Sequence, residues 1–143
     1  MAVRGCQVLR DGGLLAVVIP DKRFSFDVNR PPTQISELVE AHLLGLCRSP
    51  YRHIYDMESR MVLDANAIKI WAGTAECGGE ARRGVGDPDR YAYQRCLYAL
   101  RSWEYFDVHN SIFTPASFLE LYRKLATLGL IDYRIARFFP TEQ

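Results

Sequence analysis

Leu14-Leu15-Ala16-Val17-Val18-Ile19 is a run of six apolar residues, entered through Gly12-Gly13 and left through Pro20-Asp21-Lys22-Arg23. A strand with one wet face alternates apolar and polar residues. This run does not, so it reads as a strand covered on both faces, as in a parallel sheet. Pro20 ends it because proline cannot donate to a ladder. The polar residues after it then lie at the carboxyl end of the strand, where open α/β sheets bind their ligands. On that ground Asp21, Lys22 and Arg23 are candidate substrate-binding residues.

The rest of the chain reads mainly as helix. Arg30-Pro31-Pro32 is an extended break, and Thr33 is a suitable N-cap for a helix carrying Ile35, Leu38, Val39, Leu43 and Leu46 and running to Cys47. A second amphipathic stretch spans Met57 to Trp71. Residues 76–86 hold four glycines and two arginines and read as a surface loop. Asp87-Pro88 starts a helix whose buried stripe is expected to be Tyr93, Cys96, Leu97, Leu100 and Trp103. Thr114-Pro115 repeats that start signal, and Leu128-Gly129 ends the last helix with glycine at C′. Leu130 to Phe139 alternates Ile131, Tyr133 and Ile135 with Asp132 and Arg134, which predicts a second strand.

Bulk properties exclude several classes. A length of 143 residues indicates one domain, and 48% apolar residues is ordinary for a globular protein. A formal charge of +1 gives no field for steering nucleic acid or an anionic membrane. No apolar run approaches the ~20 residues of a membrane span. Cys6, Cys47, Cys77 and Cys96 contain no CxxC pair, which argues against a zinc cluster or disulfide framework and for reduced thiols in the cytoplasm. The segment with Tyr91, Tyr93, Tyr98, Trp103, Tyr105 and Phe106 among Arg90, Arg95 and Arg101 could stack single-stranded nucleic acid. At this net charge it reads instead as a core helix with a solvated basic face, some of its aromatics being available to a pocket or a dimer face.

Two stretches resemble a known family. Val8 to Asp27, with its Leu-Arg-Asp-Gly-Gly turn before a strand, resembles the region of the fifth strand in class I S-adenosylmethionine-dependent methyltransferases. Phe106-Asp107-Val108-His109-Asn110-Ser111-Ile112-Phe113-Thr114-Pro115, continuing through the helix to Phe139-Pro140-Thr141, is similar to the end of an uncharacterised bacterial branch of that family. The resemblance implies an α/β fold (α+β if rearranged): the helix-rich second half of a Rossmann-like sheet. It divides the chain into a strand-five-like unit (1–30), a helical insertion (31–106) and a terminal helix and strand (107–143). It also implies that the cofactor half is absent. The family holds S-adenosylmethionine with a Gly-rich loop and an acidic residue, and Gly78, Gly79, Gly84 and Gly86 follow no apolar strand, so no cofactor is expected to bind the isolated chain.

Three functions follow as expectations. The first is a methyltransferase-like partial domain, not catalytic alone, in which Asp21, Lys22, Arg23, His109 and Asn110 touch substrate. The second is a dimeric, non-catalytic α+β module that binds a small molecule or a protein. The third is different chemistry centred on His109, Asp107 and His53. Asp107 with His109, and His53 with Asp56, could in principle hold a metal, but no tight ligand spacing supports it. His109 and Asn110 read more simply as residues bonding the turn before Thr114. Both expected strands lack neighbours, so they must pair with each other or across a second chain, a homodimer or a complementing partner.

Overall fold

A computed structural model describes residues 9–75, 78–81 and 86–141. Among them the chain forms α1 (Ile35–Leu43), α2 (Tyr51–Arg60), α3 (Ala67–Trp71), α4 (Pro88–Ser102) and α5 (Pro115–Thr127), with a 3₁₀ turn at Lys22–Phe24. The expected α/β, Rossmann-like sheet is absent among the described residues. The one β pairing among the described residues is a single parallel bridge between Asp21 and Phe113.

A strand is held by its neighbour's backbone, and neither expected strand has one. No backbone hydrogen bond joins 14–19 to 130–139. Both segments instead flank α5, where Leu15, Val17, Ile19, Ile131 and Tyr133 line one side of an apolar groove. The opposite face of 14–19 stands in solvent, with Leu14 82% and Val18 96% exposed.

The core lies elsewhere. Helices α2 and α4 pack through Ile54, Met57 and Ala99, and Val108 joins them from the segment after α4. Burying a side chain such as Ile54 or Met57 contributes ~1.5–3 kcal/mol. Polar contacts run along the same seam: Tyr55 donates to Asp89 at 2.8 Å, and Arg95 donates to the nearly buried Glu58 at 3.3 Å. The buried stripe of α4 is Ala92, Cys96 and Ala99, at helical spacing. Tyr93, Leu100 and Trp103, expected inside, face solvent. The close approach of α2 selects the small residues and leaves the bulky ones outside. Burial pushes the Cys96 thiol up from its ordinary pKa.

The helix starts at 87 and 114 are as expected. The Asp87 side chain accepts from the Arg90 N–H. Thr114 and Ser117 bond each other's backbone reciprocally at 3.2 and 2.9 Å. Gly129, at φ +68°, closes α5 with bonds from its own N–H to Ala126 and from Leu130 N–H to Leu125. The first helix is shorter than expected, because Gly45 at φ +58° ends it by the same arrangement two residues before Cys47. Its N-cap is Gln34, since the Thr33 hydroxyl accepts from Ile112 N–H instead. The expected Met57–Trp71 helix is interrupted where Val62 N–H leaves the helix to bond Phe26 O at 3.0 Å. No helix among the described residues is long and apolar enough to cross a membrane.

Thr114→Ala is expected to lower stability by about 1 kcal/mol, read from the chemical unfolding midpoint, because it strands an amide of the first turn of α5. An unchanged midpoint would mean that the cap does not hold the helix.

Candidate functional site

Residues 21–33 and 109–113 are far apart in sequence and are stitched together. Lys22 N–H donates to Phe113 O at 2.9 Å, and Thr33 N–H donates to Ile112 O at 2.9 Å. Ile112 N–H returns a bond to the Thr33 hydroxyl at 2.7 Å. The centre of this seam is ionic. Asp27 is 2% exposed and Arg30 3%. Arg30 Nη1 donates to Asp27 Oδ1 at 2.7 Å, and Nη2 donates to His109 O at 2.9 Å. His109 Nδ1 lies 2.5 Å from the second oxygen, Asp27 Oδ2. The His109 ring stacks on Phe26 at 4.8 Å.

These contacts fix the imidazole chemically. A carboxylate only accepts, so the neutral ring carries its proton on Nδ1 and presents a lone pair at Nε2. Nε2 has no hydrogen-bond partner among the described residues. His109 also lines a cleft of about 120 Å³ with Pro20, Lys22, Ser25, Ser111 and Phe113. Ligand sites commonly span ~300–1,000 Å³, so this cleft admits only one end of a small molecule. It shares Phe113 with the apolar groove beside α5, whose volume is about 500 Å³.

The expected site residues divide. Lys22 and His109 line the cleft. Asp21 and Arg23 pair with each other, the Arg23 guanidinium meeting the carboxylate at 2.6 Å. Burial alone would raise the Asp21 pKa, but hydrogen bonds from the Arg23 side chain and backbone N–H outweigh it and hold the carboxyl below its ordinary range. Asn110 turns away from the cleft: its Oδ1 lies 3.1 Å from Nδ1 of the buried His53, whose Nε2 lies 2.9 Å from Glu37. His109 and Asn110 therefore do not brace the Thr114 turn, which Ser117 serves.

The proposed Asp107–His109 and His53–Asp56 pairs do not form. Asp107 accepts from Tyr105 at 3.5 Å, and Asp56 faces Arg60 at 3.7 Å. Among the described residues, no three His, Cys, Asp or Glu side chains gather as a metal would need. Asp27, Arg30 and Glu37 were the partners that sequence reasoning missed. Asp27 and Arg30 stand three apart before Pro31-Pro32, a signal too common to single them out.

Compared with known proteins, the chain matches no family model, no characterised protein and no solved structure. The described residues do not fit S-adenosylmethionine. Gly78 and Gly79 follow no strand and line neither cavity, Gly79 being held by Asn29 at 3.1 Å. Gly84 lies outside the described residues. The larger groove offers an almost wholly apolar lining to what is a charged, hydroxyl-bearing cofactor.

Asp27→Asn is expected to cost about 3–5 kcal/mol, because it leaves Arg30 buried without its countercharge. The double variant Asp27→Leu, Arg30→Met should recover most of that loss in the same denaturant titration. Equal losses in the single and double variants would contradict the ion-pair account. The Asp21–Arg23 pair gives a pH signature. A depressed folded pKa stabilises above the unfolded value and is lost as pH falls through the folded one. Arg23→Gln should therefore unfold at a higher pH than wild type during acid titration, and coincident curves would contradict it.

Proposed function

We propose that this chain forms the acceptor-binding part of a group-transfer enzyme of methyltransferase ancestry, with His109 as its general base. The observation that carries this reading is the contact of His109 Nδ1 with buried Asp27 at the edge of a small cleft. An acceptor hydroxyl or amine entering the cleft would lose its proton to His109 Nε2. The resulting imidazolium would stay bonded to the Asp27 carboxylate, whose other oxygen Arg30 holds. Phe26 beneath the ring and Asp27 at its edge hold the imidazole against rotation, so little ordering is left for the moment of reaction.

The division of labour follows from the fit. The described residues offer no seat for S-adenosylmethionine, and the role assigned to this chain ends with binding the acceptor and accepting its proton. Lys22, Ser25 and Ser111 line the same cleft and favour an acceptor with a polar reacting end. The apolar groove beyond Phe113 favours a hydrophobic body behind that end.

The reading is tested by ¹⁵N-detected NMR of the histidine side chains during titration with simple phenols and aryl amines. His109 is expected to be the Nδ1–H tautomer, with Nε2 shifting as the probe saturates. An Nε2–H tautomer, or no response of His109 to any probe, would contradict it.

A further inference from the structure

We infer that His53 is a proton-linked latch between the two sides of the seam, its charge deciding which end of the Asn110 amide turns toward it. The role is separate from that of His109 and does not depend on it. His53 is 8% exposed and stands on α2, the helix that carries the core. Its ring reaches α1 through Glu37 and the 109–113 segment through Asn110. Those are the two stretches that Thr33 and Ile112 clasp by backbone. Glu37 is itself fixed, because its other oxygen accepts from the Gln34 N–H at 3.2 Å at the start of α1.

The chemistry of the three groups makes the latch reversible. As placed, both ring nitrogens face oxygens: Nε2 lies 2.9 Å from Glu37 Oε2, and Nδ1 lies 3.1 Å from Asn110 Oδ1. A charged ring satisfies both by donating twice, whereas a neutral ring has one N–H and one lone pair. A carboxylate only accepts, so the neutral ring keeps its proton on Nε2 for Glu37 and turns a lone pair toward Asn110. The amide carries an acceptor at one end and donors at the other, so a half-turn brings Nδ2–H onto that lone pair. The bond survives loss of the proton with its direction reversed. Asn110 is an exposed residue, so water serves the outer end of the amide at either setting and no buried group is stranded.

Few charges surround the ring. From α1, Glu37 is in contact, and Arg52, on the same helix as His53, lies 3.8 Å from Glu37 Oε2 and 3.1 Å from Glu40. In the 109–113 segment the Asn110 amide is uncharged, and His109 is committed to Asp27. From α4, Asp89 meets Tyr55, Arg95 meets Glu58, and the Cys96 thiol meets the Tyr51 carbonyl. Imidazole is the side chain that changes charge between about pH 5 and 8, so the direction of the bond answers to pH.

Side-chain ¹⁵N NMR of the histidine rings and the Asn110 amide, from about pH 4.5 to 8.5, tests this on the whole chain. No ligand is added, so the result is independent of the acceptor reading. The His53 ring is expected to pass from the doubly protonated form to the Nε2–H tautomer, and the Asn110 amide to shift with the same midpoint. A scalar coupling between His53 Nδ1 and Asn110 Nδ2 should appear only on the high-pH side. Asn110→Asp replaces the reversible amide with a group that only accepts and that favours the charged ring. It should keep the helical circular dichroism and move the His53 transition to higher pH. A ring that holds one charge state throughout overturns the inference, as does a neutral Nδ1–H tautomer or an Asn110 amide that titrates apart from the ring. A folded Asn110→Asp variant whose His53 transition stays in place also overturns it, and the wild-type titration decides the matter if that variant does not fold.

Discussion

Asp27 and Arg30 form an ion pair that is almost fully removed from water, and the arrangement around the cleft depends on it. Such a pair is a weak source of net stability, because desolvating two charges offsets most of their attraction. Its consequence here is positional. Arg30 spends a second nitrogen on the His109 carbonyl, and Asp27 spends its second oxygen on the His109 ring. One buried pair thereby sets both the backbone and the side chain of a residue 82 positions from Asp27. Arg30 Nε is buried with no hydrogen-bond partner among the described residues.

Local signals were legible in the sequence. Asp87-Pro88, Thr114-Pro115 and Leu128-Gly129 act through atoms within a few residues of one another, and each is used as expected. Gly45 was equally local and could have been read as the stop of α1. What failed was non-local. The burial stripe of α4 depends on how closely α2 approaches, and periodicity found Cys96 but did not choose Ala92 and Ala99 over Tyr93, Leu100 and Trp103. The two expected strands failed for the same reason. Their residues suit a sheet, but a sheet requires partners, and none lies within the described residues.

The candidate site was half legible. His109 stood out through the resemblance around Asp107 to Pro115 and through its Asp-x-His spacing from Asp107. Its true partner did not, because Asp107 is the carboxylate adjacent in sequence and Asp27 is the one adjacent in space. Thr33 shows the same competition at smaller scale. Its hydroxyl could have capped α1, yet it holds Ile112, and a glutamine assumes the cap. In each case a contact between distant segments overrode a sound local choice. The apolar 14–19 segment is the converse: its composition suits a sheet that the described residues do not provide.

The central claim is that the 21–33 and 109–113 segments are locked together by bonds around Asp27, Arg30 and His109. Native-state hydrogen exchange at single-residue resolution tests it most directly. Ile112, Thr33 and Lys22 amides, all bonded across this seam, should exchange only with global unfolding, at rates matching the core of α2. Exchange of these three amides at the rate of an open loop, while α2 stays protected, would contradict the account.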